Sequence, residues 1–243
     1  WVHQTVFLFY MITKIKNYDH LALNLNEREL IAIAPVAVCF ARIFNKPVSL
    51  RVFGGNLDIR ANQNVLQRIL FSRLFKKVDL LFLQTKNLVN LFSEYKNVLH
   101  LPTCRYRQSF LDREFSGKFV YIGQIKRSKG VGIILQALEH LNNVWVDFYG
   151  PLQEFSEDEL NTANSAYKGI AEKDEIVDIL SNSDFLLLPT FYEGEGYPGV
   201  ILESYSVGRP VITTRWRAIP EIVDEGKSGF LVDPGDVRGL VNV

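Results

Sequence analysis

Residues 185–212 read FLLLPTFYEGEGYPGVILESYSVGRPVI, which joins two apolar runs through a glycine-rich segment and a short helical pattern. The first run, Phe185–Leu188, lacks polar alternation, as is typical of a strand buried on both faces of a parallel sheet. Pro189 ends this strand, and residues 200–207 form two helical turns that a glycine stops before the second strand. The stretch therefore predicts one unit of strand, loop, helix and strand.

The glycine-rich loop follows the carboxyl end of the first strand, the edge at which open α/β sheets bind their ligands. Gly194, Gly196 and Gly199 let the main chain approach a ligand, and the free N–H groups of the following helix favour a phosphate. Glu203 lies four residues after Gly199, so its carboxylate can face the same pocket and accept hydrogen bonds from a ribose diol. Glu195 projects from the loop. An ordinary strand–helix crossover with a solvated, acidic loop has the same features.

The segment EGEGYPGVILE, followed by GRPVITT, resembles the nucleotide-sugar loop of retaining GT-B glycosyltransferases of the group 1, or family 4-like, type of polysaccharide and lipopolysaccharide biosynthesis. The resemblance implies that Glu203 binds the nucleotide ribose and that Glu195 lies at the donor sugar. Glu193 is a second candidate for the first glutamate, but only Glu195 keeps the seven-residue gap. The resemblance also implies that the donor is bound by Gly196, Tyr197, Pro198, Gly199 and Val200.

A second cluster of charge follows the apolar run of residues 118–122, where the sequence continues GQIKRSKGV. A strand here runs into Gly123, and Arg127 and Lys129 precede a helix predicted over residues 131–141. A cation about 4 Å from a leaving diphosphate contributes on the order of 4 kcal/mol at an effective dielectric near 20. The pattern predicts a site for a diphosphate, and a solvated basic turn is the alternative.

In the family that the chain resembles, this stretch carries Gly-Arg and then, five residues later, Lys-Gly, with both cations on the donor diphosphate. Lys129 fits, but Gln124 occupies the arginine position, and glutamine can hydrogen-bond a phosphate without adding charge. Lys126 and Arg127 are the candidates to replace that charge. The predicted catalytic residues are therefore Lys129, Arg127 and Glu195, and Gly123 and Gln124 are predicted to bind the donor.

The rest of the second half alternates further strands and helices. A strand is predicted over residues 145–149, a solvated helix over 153–164, a short helix over 172–180 and a hairpin-like return over 226–232. The resemblance implies that the loop beginning at Gly169 holds the nucleotide base, so that Gly169 and Ile170 are its predicted contacts.

The first half reads as alternating strands and helices, which indicates a parallel sheet. Strands are predicted over residues 18–25, 48–53, 79–84 and 97–101, and helices over 6–16, 26–44, 64–77 and 86–95. Asn26 and Glu29 form a candidate capping box for the second of these helices. Gly54, Gly55 and Asn56 turn the chain at the carboxyl end of a strand, and the resemblance implies that this loop lines the cleft that receives the acceptor. A simple turn is the alternative.

Composition predicts a soluble globular protein. Its 243 residues are 47% hydrophobic and carry 27 Lys and Arg against 27 Asp and Glu, which favours neither disorder nor nucleic-acid binding. The two cysteines have no disulfide or metal-ligand pattern, which suits the cytoplasm. The longest apolar run, residues 30–41, is shorter than the roughly 20 residues that span a bilayer.

Charge is distributed unevenly along the chain. Residues 1–112 hold 15 Lys and Arg against 7 Asp and Glu, whereas residues 113–243 hold 12 against 20. Either the two halves attract each other across a cleft, or the basic half faces an anionic lipid surface or a phosphate-bearing acceptor.

Together these patterns predict an α/β protein of GT-B type, with two Rossmann-like domains whose parallel sheets face across a cleft. The domains are predicted as 1–112, an incomplete amino-terminal acceptor domain, and 113–243, the nucleotide-sugar-binding domain. The resemblance implies retaining transfer from a UDP- or GDP-sugar to a saccharide or lipid-linked saccharide, with no metal, no cofactor and no nucleic-acid partner. The predicted location is the cytoplasm, with peripheral contact at the inner face of the membrane. A nucleotide-sugar epimerase of the same fold and a non-catalytic donor-binding subunit are the alternatives.

Overall fold

A computed structural model describes residues 7, 9–11, 13–109 and 114–243. The chain forms two compact units, Trp1–Pro102 and Thr103–Val243. The boundary predicted between residues 112 and 113 lies outside the described residues. Residues 103–109 belong to the second unit because they are bonded to it, for example through the Gln108 N–H, which donates to the Ser206 carbonyl at 2.8 Å.

The first unit is a four-stranded parallel sheet in the order β1-β2-β3-β4, with helices between its strands. The core is formed by the apolar strand residues and the helix faces packed on them, such as Leu50, Leu81 and Phe75. The predicted alternation and parallel pairing are confirmed. The elements are β1 (Leu21–Asn26), α1 (Glu27–Ala32), α2 (Ala34–Ile43), β2 (Val48–Phe53), α3 (Leu57–Asn62), α4 (Val65–Lys77), β3 (Leu80–Leu83), α5 (Lys86–Leu91) and β4 (Val98–His100).

The capping box at the start of α1 is confirmed: Asn26 Oδ1 accepts from the N–H of Glu29 at 3.0 Å, and Glu29 Oε2 accepts from the N–H of Asn26 at 3.0 Å. The single helix predicted over residues 26–44 is wrong, because α1 ends at Ala32 and α2 begins at Ala34. Pro35 lacks an N–H and fits only a first helical turn, so the chain starts a new helix there. The helix predicted over residues 6–16 lies in part outside the described residues.

The second unit is a six-stranded parallel sheet in the order β10-β9-β8-β5-β6-β7. The chain builds outward from β5 in one direction and then returns to β8 and builds outward in the other, so the topological switch point lies between β5 and β8. The elements are β5 (Lys118–Ile122), α6 (Val131–Leu138), β6 (Trp145–Tyr149), α7 (Glu157–Leu160), β7 (Ser165–Tyr167), α8 (Ile176–Ser181), β8 (Phe185–Leu188), α9 (Gly199–Ser206), β9 (Val211–Thr214), β10 (Gly229–Val232) and α10 (Val237–Val241).

Two predictions for the second unit are corrected. The hairpin-like return over residues 226–232 is wrong, because β10 pairs parallel to β9 with Gly229 opposite Val211. A turn after Asp224 reverses the chain before that strand begins, and a Cβ at position 229 would overlap the Val211 carbonyl oxygen. The solvated helix predicted over residues 153–164 is wrong in extent, because only the single turn of α7 is helical and the short strand β7 follows it.

Each unit has its own apolar core. Within the ranges that the structure describes, no helix is both long and apolar enough to cross a bilayer.

Candidate active site

The switch point of the second unit brings the two sequence clusters of interest together. The short helical turn Arg127–Lys129 follows β5, and Gly130 ends it with a φ of 84° in the left-handed region. A Cβ on Gly130 would overlap the carbonyl oxygen of Pro189, so only glycine lets this turn approach the end of β8 so closely. The Phe191 N–H donates to the Ser128 carbonyl at 2.8 Å and joins the two loops.

This close approach places Lys129 beside Glu195. The Nζ of Lys129 lies 2.5 Å from Glu195 Oε2, and their side chains are only 15% and 9% exposed. The Thr190 hydroxyl donates to the same carboxylate oxygen at 2.9 Å. Two residues that the sequence analysis predicted to be catalytic thus form a partly buried ion pair, and charges in such a setting are screened less than on the surface.

A second lysine lies next to this pair. Lys126 Nζ is 3.7 Å from the centroid of the Tyr192 ring, and Lys129 Nζ is 5.0 Å from the same centroid. The backbone of Tyr192 is held by Trp216, whose indole N–H donates to its carbonyl at 2.8 Å. Two cations therefore share one aromatic ring at the carboxyl edge of the sheet.

Arg127 contacts residues other than the Lys129–Glu195 pair. Its guanidinium lies 5.1 Å from the centroid of the Phe155 ring, and its backbone N–H donates to Glu154 Oε2 at 2.7 Å. The structure therefore does not bring the Arg127 guanidinium to the Lys129–Glu195 pair. Of the two candidates to replace the charge absent at Gln124, Lys126 is the one adjacent to Lys129.

Tyr121, in β5, organises the loop that follows this strand. Its ring is fully buried, and its hydroxyl donates to the Gln124 carbonyl at 2.7 Å. Burial raises the pKa of Tyr121 above its ordinary value, and the negative charge of Glu195 raises this pKa further. The hydroxyl therefore stays protonated and holds Gly123 and Gln124 at the sheet edge, with the Gln124 side chain exposed.

The helix predicted after the glycine-rich loop is confirmed as α9, which begins at Gly199, and its phosphate-binding role stays a prediction. Pro198 precedes it without a capping side chain, so the helix N-terminus has free N–H donors. Glu203, one turn further on, accepts at Oε1 from Arg105 Nε at 3.1 Å and from Arg105 Nη2 at 3.0 Å. The sequence analysis gave Arg105 no role at this site. No local pattern could reveal this contact, because 98 residues separate the two positions.

The other residues predicted at the donor lie in the loop before α9 or after β7, the edge strand of the sheet. Burial raises the pKa of Tyr197, with the charge of Glu221 as a second cause. Gly169 has a φ of 87° and accepts from the Gly150 N–H at 2.9 Å, which fixes the start of the predicted base-binding loop. Ile170 is 62% exposed.

A polar cavity of about 700 Å³ is lined in part by Ile170. A buried carboxylate, Asp147, lies in its wall with Lys118 Nζ at 3.2 Å and Lys168 Nζ at 3.7 Å. Lys129 and Glu195 are not among the residues that line it. The switch point differs from this cavity in combining a partly buried ion pair with a helix N-terminus.

In the first unit, the loop predicted to line the acceptor cleft is held by Glu27. The Asn56 N–H donates to Glu27 Oε1 at 2.5 Å, and Gly54 has a φ of 116°. A Cβ on Gly54 would lie 2.7 Å from the same oxygen, and Gly55 between them is buried. Sequence reasoning missed Glu27, although its position directly after β1 puts it at the carboxyl edge. The acceptor role of this loop stays a prediction.

Within the described residues, no group of three or more His, Cys, Asp or Glu side chains is arranged to hold a metal ion. Cys39 and Cys104 are both free and exposed.

The sequence of the second unit matches a known protein family. The family model described as glycosyl transferases group 1 matches residues 116–243, which is more than half of the chain. Sulfoquinovosyl transferase SQD2 of Arabidopsis thaliana is 30% identical over 127 residues, 50% of this chain and 24% of that protein. The putative colanic acid biosynthesis glycosyltransferase WcaL of Escherichia coli is 30% identical over 141 residues, 51% of this chain and 34% of that protein. The matches thus span about a quarter to a third of these relatives.

Solved structures match nearly the whole chain. Anabaena HepE in complex with UDP has a TM-score of 0.79 and 15% identity, with 97% of this chain and 70% of that chain covered. Sucrose-phosphate synthase from Thermosynechococcus elongatus has a TM-score of 0.75 and 14% identity, with coverages of 97% and 66%. At such identities the likeness shows the fold, and the predicted GT-B fold class is confirmed.

Proposed function

Because the chain belongs to the glycosyl transferases group 1 family, we propose that it is a retaining glycosyltransferase that uses a UDP- or GDP-sugar as donor. The proposed acceptor is a saccharide or a lipid-linked saccharide. Support comes from relatives named for polysaccharide synthesis, such as WcaL and the amylovoran biosynthesis glycosyltransferase AmsK of Erwinia amylovora. The similar Anabaena HepE structures contain UDP and UDP-glucose.

The Lys129–Glu195 ion pair at the switch point is the observation that carries this proposal. When the bond between the sugar and the diphosphate breaks, negative charge grows on the leaving diphosphate. A fixed ammonium group that is 15% exposed stabilises that charge more than a solvated one does. Glu195 and the Thr190 hydroxyl hold the ammonium group in position, and Glu195 can also accept a hydrogen bond from a sugar hydroxyl.

The remaining donor contacts follow from the same edge of the sheet. The N-terminus of α9 binds the diphosphate through free N–H groups, and Glu203 binds the ribose hydroxyls. Gly169 and Ile170 contact the base. Positive charge from Lys129, Lys126 and the helix dipole supports a reaction that needs neither a metal ion nor a separate cofactor.

A donor screen tests the proposal. UDP, GDP and ADP and their common hexose conjugates are each added to the protein, and the melting temperature is recorded. A ligand at 100 times its dissociation constant stabilises the fold by about 2.7 kcal/mol, so a specific donor gives a clear shift. The stabilising donor, isotopically labelled, is then incubated with oligosaccharide or lipid-linked acceptors, and the product anomer is assigned by NMR.

The outcomes of this screen separate the alternatives. Transfer with the anomeric configuration of the donor supports the proposal, whereas transfer with inversion rejects the retaining mechanism. Release of an isomerised sugar without an acceptor favours an epimerase. Binding of a donor with no turnover favours a donor-binding subunit, and no binding of any nucleotide rejects the proposed function.

We also propose that the first unit contacts an anionic membrane surface through α4. Val65, Leu66 and Ile69 are 73%, 80% and 44% exposed on this helix, and it ends in the exposed Lys76 and Lys77. Exposed apolar residues beside cations are typical of helices that lie at the interface of a bilayer. The cytoplasmic leaflet is the anionic one, which matches the predicted location at the inner face of the membrane.

Vesicle co-sedimentation tests the membrane contact. Replacing Lys76 and Lys77 with Glu should weaken binding to anionic vesicles at least tenfold and leave donor binding unchanged. Replacing Lys173 and Lys227 with Glu makes the same charge change in the second unit and should have a much smaller effect. Equal sedimentation with neutral and anionic vesicles would reject the contact.

A further inference from the structure

Residues 103–109 run along α9 and are fixed to it at two points. At one end, the Gln108 N–H donates to the Ser206 carbonyl at 2.8 Å. At the other, Arg105 Nε and Nη2 both donate to Glu203 Oε1, at 3.1 and 3.0 Å. Arg105 Nη1 donates to the Cys104 carbonyl at 3.1 Å. The guanidinium of Arg105 is thus held through all three of its nitrogens.

The position of this guanidinium relative to α9 is unusual. Arg105 Nη2 lies 2.9 Å from the point where a Cβ on Gly199, the first residue of α9, would lie. A cation at the N-terminus of a helix faces the positive end of the helix dipole, which is unfavourable unless an anion is near. Glu203 supplies one carboxylate. The free N–H groups of the first turn and the guanidinium together still favour a further anion at this end of the helix.

Arg105 has donors left for such an anion. A guanidinium carries five N–H hydrogens, and the three hydrogen bonds of Arg105 use three of them. One N–H remains on each terminal nitrogen, in the fork geometry that matches two phosphate oxygens. The side chain is 37% exposed, so a ligand can reach it. Both hydrogen bonds from Arg105 to Glu203 end on Oε1, and neither of them uses Oε2.

We infer that Arg105 recognises the diphosphate of the nucleotide donor and at the same time orients Glu203 for the ribose. The inference rests on the proposed function, because it assigns a contact within the proposed donor site. Arg105 adds the positive charge that the neutral Gln124 does not supply to this edge of the sheet. Arg105 acts as a binding and positioning residue, whereas Lys129 stabilises the negative charge that grows on the diphosphate as the bond breaks.

The competing explanation is that Arg105 only fastens residues 103–109 to α9. The two roles predict different effects of losing Arg105 on the affinities for a nucleoside and for a nucleoside diphosphate. If Arg105 only fastens this segment, its loss weakens the binding of a nucleoside and of a nucleoside diphosphate by the same factor. If Arg105 contacts the phosphates, its loss weakens only the binding of the nucleoside diphosphate.

The experiment measures the dissociation constants of UDP and uridine, or of GDP and guanosine if the guanine nucleotide binds, for the full chain. Arg105→Gln should weaken the diphosphate at least tenfold more than the nucleoside. Arg105→Lys keeps the charge but loses the fork, so the ratio of the two constants should return to within about threefold of the wild type while nucleoside binding stays weaker. Arg238→Gln removes a charge from α10 and is the matched control, with no change in the ratio.

The melting temperature of each unliganded variant separates folding from recognition. Equal loss of diphosphate and nucleoside affinity in Arg105→Gln, with or without a lower melting temperature, overturns the inference in favour of a clamp. An unchanged affinity for both ligands overturns it as well. A wild-type protein that binds no nucleoside diphosphate rejects the proposed function and this inference together, whereas normal wild-type binding with an unchanged ratio in the variant rejects the inference alone.

Discussion

Replacing Lys129 with Met removes one charge from the Lys129–Glu195 pair and keeps an unbranched side chain of similar length. The ammonium lies 2.5 Å from a carboxylate that is 9% exposed, so the variant leaves Glu195 with the Thr190 hydroxyl as its remaining partner at that oxygen. Breaking a buried pair in this way costs about 3 kcal/mol. For a unit of this size we expect the melting temperature to fall by about 10 °C.

The same substitution should lower turnover. Removing one electrostatic group that acts on charge developing in the transition state lowers kcat by about 100- to 1,000-fold, or about 3 to 4 kcal/mol. KM for the donor should change less than tenfold, because the charge on the diphosphate grows only as the bond breaks. Initial rates of nucleotide release, measured over a range of donor concentrations, give both constants.

A second substitution separates the structural effect from the chemical one. Adding Glu195→Gln removes the unpaired charge, so the double variant should regain most of the lost stability. Its kcat should nevertheless stay at least 100-fold below that of Glu195→Gln alone, because the ammonium is still absent. A double variant as active as Glu195→Gln alone would refute the reasoning, since Lys129 would then serve only to neutralise Glu195.

Three further predictions concern binding, stability and pH. Glu203→Ala should weaken donor binding at least tenfold in calorimetry, because it removes charge-assisted hydrogen bonds to the ribose; unchanged affinity would reject the ribose role. Gly130→Ala should destabilise the protein by more than 2 kcal/mol in denaturant titrations, because a Cβ would overlap the Pro189 carbonyl at a φ of 84°. Gly235→Ala, at a φ of 80° with no atom within 4 Å of its Cβ, is the control and should cost only about 1 kcal/mol; equal losses would contradict the account. The raised pKa of Tyr121 means that the folded state keeps this proton longer than the unfolded state, so its contribution to stability is lost as the pH rises above about 10. Tyr121→Phe should therefore lose less stability than the wild type between pH 9 and 11, and parallel curves would show that Tyr121 contributes nothing there.

The elements that could be predicted are those with strong local signals. The unalternating run Phe185–Leu188 and the capping pair of Asn26 and Glu29 specify their structures through nearby residues, and both are found as predicted. The hairpin-like return predicted for residues 226–232 is wrong because a turn followed by a parallel strand has the same local sequence pattern as a hairpin. Only the pairing of β10 with the distant β9 decides between them.

The candidate site divides in the same way. The order of Glu195 and Glu203 around a glycine-rich loop could be read along the chain, as could Lys129 before a helix. The contact between Lys129 and Glu195 depends on how closely Gly130 lets two loops approach, which is a tertiary property. Arg105 was missed for that reason too, since its partner on α9 is 98 residues away.

Hydrogen–deuterium exchange with and without the tightest-binding nucleoside diphosphate tests the central claim, that the donor binds at the switch point of the second unit. The account predicts slower exchange in residues 123–131, after β5, and in residues 196–203, which include the first turn of α9, because ligand bonds and closer packing hold these amides. Residues 64–77 of the first unit should exchange at the same rate in both samples. Saturating ligand that slows exchange in neither 123–131 nor 196–203 would contradict the account.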